Sequence, residues 1–192
     1  MGLLLSGAGA PSDWVCRWSH LVPQGGTVLD VACGSGRHLQ WFHALNHAVA
    51  GVDLRPDAIE IAARYGEAVQ ADIEAGPWPF AGRQFDCVVV THYLWRPLLP
   101  TLVASVAPGG VLLYETFADG NAAWGKPSRP DFLLRPGELL RACADLRIVG
   151  YEDGFSPLPT PRCVQRVAAV RPLPGAAVQP PPLEPGNPGP AA

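Results

Sequence analysis

The chain has 192 residues, 48% hydrophobic and 16% charged, with 21 glycines, 22 prolines and a formal net charge of −3. A single domain of this size builds its core without disulfides or a structural metal, and the negative balance argues against broad affinity for nucleic acid or anionic membrane. No apolar run reaches the roughly 20 residues of a membrane span, and Leu3-Leu4-Leu5 lacks the flanks of a signal peptide, so the expected location is cytoplasmic.

Residues 1–11 are rich in small side chains and are expected to be flexible. Ser12 is a good N-cap for a helix over 12–21, with Asp13 in its first turn and Trp14, Trp18 and Leu21 on one stripe. Residues 27–32 are apolar on both faces, as buried parallel strands are. A helix over 37–45 and a strand over 48–53 follow, and Pro56 suits the first position of a helix reaching about Tyr65. Strands over 68–73 and 85–91, a helix over 97–106 and a strand over 111–115 continue the alternation. Alternating strand and helix in this way describe a doubly wound, mainly parallel α/β sheet.

The pattern then changes. Residues 117–136 are too long for a simple connection and form a candidate functional loop. A helix over 138–145 leads to two last strands, 146–152 and 162–170, joined by a Pro-rich turn and expected to be antiparallel. Residues 172–192 carry dense proline and a single charge, Glu184, so a disordered tail is expected beyond a domain spanning 12–171. The five cysteines, Cys16, Cys33, Cys87, Cys143 and Cys163, form no C-x-x-C pair and read as small buried hydrophobes of a reducing compartment. His43 and His47 lack a third ligand, so no metal site is expected.

The chemistry concentrates after the first strand, in Val28-Leu29-Asp30-Val31-Ala32-Cys33-Gly34-Ser35-Gly36-Arg37-His38. Gly34 and Gly36 let backbone approach a ligand at the carboxyl end of a strand, where doubly wound sheets bind theirs. The third glycine of a dinucleotide fingerprint is replaced by Leu39, and Asp30 would repel a pyrophosphate, which disfavours a nucleotide-dependent reductase. Asp30 suits an ammonium group instead, Asp53 the two hydroxyls of a ribose, and Asp72 an adenine amino group. Each acid also has a plainer reading, as a turn cap for Asp30 and as solvated loop acids for Asp53 and Asp72.

Val28 to Arg37 resembles the first motif of class I S-adenosylmethionine-dependent methyltransferases. Gly51-Val52-Asp53-Leu54, Ala71-Asp72-Ile73, Phe85 to Val90 and Pro108 to Leu113 resemble their later motifs in order. The nearest type is the small bacterial tellurite-resistance and thiopurine group. The resemblance implies a Rossmann-like seven-stranded sheet, mostly parallel with one antiparallel strand, and S-adenosyl-L-methionine as cofactor. It implies that Asp30, Gly34 and Gly36 flank the methionine moiety, Asp53 the ribose, and Asp72 with Ile73 the adenine. Ala32, Leu54 and Thr91 are expected as further cofactor-contacting positions on the same resemblance, Ala32 standing where the family usually has glycine.

The acceptor side is read from Thr91-His92-Tyr93, which follows the fourth strand. His92 has the proton affinity of a general base near neutrality, or is a strand-end histidine bonded to backbone. Tyr93 is the second catalytic candidate, with Arg96 and Glu115-Thr116 behind it. An N-P-P-Y tetrapeptide is absent, which disfavours nucleobase and glutamine amide acceptors. In the loop, Asn121, Trp124, Lys126, Arg129 and Phe132 mix aromatic and basic character. A small-molecule acceptor is expected, with a non-catalytic S-adenosylmethionine-binding module or partner subunit as the alternative.

Overall fold

The computed structural model describes residues 9–175 and 180–185. Much of the expected flexible start (1–11) and disordered tail (172–192) therefore lies outside the described residues. Helix α1 (Asp13–Trp18) begins where Ser12 Oγ accepts the Trp14 backbone N–H at 3.2 Å, satisfying one of the open donors of a first helical turn. A 3-10 turn, Ser19–Leu21, completes the expected segment.

The remaining elements alternate: β1 (Thr27–Val31), α2 (Arg37–Ala44), β2 (Ala48–Asp53), α3 (Pro56–Ala62), β3 (Glu67–Gln70) and β4 (Phe85–Thr91). After them come α4 (Leu99–Ala104), β5 (Val106–Phe117), α5 (Glu138–Ala142), β6 (Arg147–Ser156) and β7 (Arg162–Val170). One seven-stranded sheet results, ordered β3-β2-β1-β4-β5-β7-β6, in which β7 runs antiparallel to both neighbours. The expected fold class therefore holds. The order reverses between β1 and β4, and a ligand site is expected in the crevice beyond their carboxyl ends.

Both sheet faces are buried. On one, Trp14, Val15 and Trp18 of α1 join Leu39 and Phe42 of α2 and Ala62 of α3. On the other, Leu102 of α4 and Leu139 of α5 cover the sheet together with Leu98, Phe80 and Leu134. The β1 and β4 cores, Leu29, Val31, Val88 and Val90, face this second layer.

Boundaries differ from the sequence reading in two instructive places. β5 starts at Val106 rather than 111, because Val106 already pairs with Phe85 and the Pro108-Gly109-Gly110 turn is absorbed as an irregularity. β3 ends at Gln70 rather than 73, since the Asp72 carboxylate turns the chain by accepting the Glu74 and Ala75 N–H groups, both at 3.0 Å. No helix among the described residues is long and apolar enough to cross a membrane.

Candidate active site

The turn after β1 is built on left-handed backbone. Ala32, Gly34 and Gly36 have φ of 54°, 54° and 80°. Gly34 has nothing within 4 Å of where a Cβ would stand, so its backbone borders open space. Gly36 differs, because a Cβ there would come within 3.2 Å of the Ala62 backbone, and it serves as the N-cap of α2. Gly51 holds β2 close to this turn: a Cβ would lie 2.8 Å from Leu39 Cδ1 and 2.9 Å from Cys33 Sγ.

Two cavities open at this end of the sheet. The larger, about 550 Å³, is lined by Ala32, Asp53, Leu54, Asp72, Ile73, Tyr93 and Trp95 among others. The smaller, about 280 Å³, is lined by Ala32, Cys33, Gly34, Ser35, Arg37, Thr91, His92 and Tyr93. They share Ala32 and Tyr93, and so meet at the β1–β4 switch point. The structure thus brings Ala32, Gly34, Asp53, Leu54, Asp72, Ile73, Thr91, His92 and Tyr93 to one crevice.

It does not bring Asp30 or Gly36 to the cavity walls. Asp30 is buried, with His38 Nδ1 3.4 Å from its Oδ2, too long for a good hydrogen bond and with no closer donor. His38 in turn accepts the Ser12 N–H at 3.2 Å, and the Ser12 hydroxyl donates to Glu115 Oε1 at 3.1 Å. A polar chain therefore runs from the end of β1 through α2 and the α1 cap to β5.

Asp53 splits its carboxylate, Oδ2 accepting the Gly34 N–H at 2.8 Å and Oδ1 the Arg55 N–H at 2.9 Å. Each oxygen keeps a second lone pair for a ligand hydroxyl. Asp72 uses Oδ1 for its turn, leaving Oδ2 without a partner among the described residues. The Tyr93 hydroxyl is buried without a partner as well. Burial, together with the Glu74 and Asp72 carboxylates, pushes its pKa well up, so Tyr93 offers a donor rather than a base.

His92 has a left-handed backbone (φ 55°), uncommon outside glycine, and its ring stacks on Phe117 with centroids 5.2 Å apart. Arg37 Nη2 donates to Thr91 Oγ1 at 3.1 Å and approaches His92 Nδ1 at 3.5 Å. Glu115 Oε1 lies 3.9 Å from Nε2, but that buried carboxylate is already tied to Arg166, which also binds Glu152. Burial lowers the His92 pKa, Arg37 lowers it further, and Glu115 opposes them, so the imidazole is neutral around pH 7.

Sequence reasoning missed the reach of Arg37 to Thr91 and His92, and the Phe117 face beneath His92. Both contacts join segments far apart in the chain and leave no local signal. The five cysteines are unpaired, and no cluster of metal-ligating side chains occurs among the described residues.

Residues 28–110 match the family model described as a methyltransferase domain. Ribosomal protein L11 methyltransferase from Burkholderia thailandensis is 34% identical over 116 residues, 57% of this chain and 38% of that protein. TehB from Haemophilus influenzae shares the fold at TM-score 0.68 and 18% identity, over 87% of this chain and 64% of TehB. An S-adenosylmethionine-dependent methyltransferase from Mesorhizobium loti gives 0.65 at 19% identity, over 86% of this chain and all of its own (100%). The chain thus spans well under half the length of the curated relative it matches. Residues 28–110 are thus similar to a methyltransferase domain, and the sheet shares the fold of S-adenosylmethionine-dependent methyltransferases. The architecture is similar to that of TehB, and the methyl donor that such a domain implies is S-adenosylmethionine.

Proposed function

We propose that this chain binds S-adenosylmethionine across the two joined cavities and transfers its methyl group to a small-molecule acceptor. The observation that carries this reading is the sharing of Ala32 and Tyr93 by a cavity lined with Asp53, Leu54, Asp72 and Ile73 and one lined with Gly34, Thr91 and His92. The first suits an adenosine and the second a methionine chain with an acceptor beside it. The spare lone pairs of Asp53, the free Oδ2 of Asp72 and the unpartnered Tyr93 hydroxyl are the hydrogen-bonding groups such a ligand would use.

When bound, S-adenosylmethionine supplies an electrophilic sulfonium methyl. The chain's residues supply position and proton transfer. Asp53 fixes the ribose and Asp72 with Ile73 the adenine, while the Gly34 backbone admits the methionine chain. Alignment of this kind within about 3–3.5 Å contributes several kcal/mol to the rate. His92, neutral near pH 7, accepts the proton of a hydroxyl acceptor at Nδ1, the nitrogen held only loosely by Arg37.

Calorimetric titration with S-adenosylhomocysteine tests the first half, and release of radiolabelled methyl to small thiols and phenols the second. Absence of S-adenosylhomocysteine binding would overturn the reading. Binding without transfer to any acceptor would instead favour a cofactor-binding module.

A further inference from the structure

Beyond the His92 cavity lies another of about 210 Å³, lined by Phe117, Asn121, Trp124, Gly125, Lys126, Thr160, Pro161 and Arg162. Phe117 forms the partition, since its ring stacks on His92 in the inner cavity and lines the outer one. The outer walls are aromatic and cationic. Trp124, 52% exposed, is braced by Phe155 with ring centroids 4.4 Å apart. Neither Lys126 nor Arg162 has a carboxylate partner among the described residues, and the Arg162 Nε is buried with no acceptor.

Other arginines also lack a carboxylate, but among the described residues Arg162 alone has a buried guanidinium nitrogen with no acceptor of any kind. An unpaired guanidinium nitrogen out of water costs free energy until an anion meets it. The one carboxylate near His92, Glu115, is neutralised by Arg166 and does not compete. Arg162 also lies near enough to His92 to lower its proton affinity, which ties the outer cavity to the reacting end.

We infer that the acceptor is a small aryl acid, its anionic group held by Arg162 and Lys126 in the outer cavity and its nucleophilic hydroxyl directed past Phe117 to His92. This rests on the methyltransferase reading above. The aryl ring lies against Phe117 and Trp124, as flat rings do on aromatic faces. In the transfer the hydroxyl oxygen forms a bond to the methyl carbon and the carbon–sulfur bond breaks, its electron pair staying on sulfur. The hydroxyl proton goes to His92. The cations bind the acid group and take no part in the bond changes, so their loss raises KM more than it lowers kcat.

Calorimetric titration of benzoate into the S-adenosylhomocysteine complex reads the outer cavity without any turnover. Methyl transfer to 4-hydroxybenzoate, phenol and selenite then reads the reacting end. Benzoate is expected to bind, and 4-hydroxybenzoate to be methylated with KM about tenfold below that of phenol, the size of one charge-assisted hydrogen bond. Lys126→Ala, on an exposed loop side chain, and Arg162→Gln should each raise the 4-hydroxybenzoate KM about tenfold with little change in S-adenosylhomocysteine affinity. S-adenosylhomocysteine binding without benzoate binding overturns this inference and leaves the methyltransferase reading standing. Failure of S-adenosylhomocysteine itself to bind overturns both. Transfer to selenite, with no benzoate binding, assigns the cations to another acceptor and overturns the aryl acid.

Discussion

Asp53, the last residue of β2, accepts the backbone N–H of Gly34 at 2.8 Å and so holds the turn that follows β1. One carboxylate thus has two tasks, bracing the glycine turn and presenting lone pairs to the larger cavity. Asp53→Ala should weaken S-adenosylhomocysteine binding by ~1–3 kcal/mol and lower the melting temperature at the same time. Calorimetry and thermal unfolding check both. An unchanged affinity would make Asp53 a brace only.

Ala32 tests how much strain the turn carries. Its left-handed φ of 54° costs an L-residue about 1–2 kcal/mol, whereas glycine adopts it freely but loses about 0.5–1 kcal/mol in backbone entropy. Ala32→Gly should therefore stabilise the fold by at most ~1.5 kcal/mol in urea unfolding. Ala32→Val, adding β-branching at the same φ, should destabilise it.

A pH profile separates the groups around His92. Because its pKa lies below the usual 6.5, the rate with a hydroxyl acceptor should rise below neutrality and be flat by pH 7. Arg37→Gln removes a cation that disfavours imidazolium, so the inflection should move up towards the ordinary value. Arg162 and His38 press in the same direction as Arg37, and Glu115 in the opposite one. Thiol acceptors, which ionise readily by themselves, should depend far less on His92.

Gly51 makes a packing prediction. A Cβ there would meet Leu39 Cδ1 at 2.8 Å and Cys33 Sγ at 2.9 Å, so Gly51→Ala should cost about 1–3 kcal/mol. Adding Cys33→Ala removes one of the two clashes, and the double variant should recover part of the loss in thermal unfolding.

Ser12→Ala removes an N-cap oxygen and the hydroxyl that donates to buried Glu115. Loss of the cap alone costs ~0.5–2 kcal/mol, measurable by denaturant unfolding.

The order of strands and helices and the gathering of Asp53, Leu54, Asp72 and Ile73 on one cavity were legible because their signals are local. Pro56 at a helix start, the apolar run of β1 and Asp53 at a strand end each announce themselves within a few residues. Asp30 reads as facing a ligand ammonium group or capping the turn, whereas the fold buries it beside His38, off the walls of both cavities, a placement that depends on α2 and leaves no local signal. Asp72 was read at a strand end, but its side chain ends the strand early by capping the next turn. The acceptor side was least legible, because Arg37, His92, Phe117 and Arg162 come from α2, from the residue after β4, from β5 and from β7, and meet only through the sheet order.

The long connection between β5 and α5 is tied down at both ends. Arg96 binds Glu138 and the carbonyls of Asp131 and Leu133, while the Asn121 amide donates to the Pro127 carbonyl and its oxygen accepts the Cys163 N–H. Between those pins the exposed residues around Trp124 and Lys126 make few demands on the sheet. Their side chains can be exchanged without refolding the frame that holds the crevice, which makes this short span the natural place to engineer a new substrate preference.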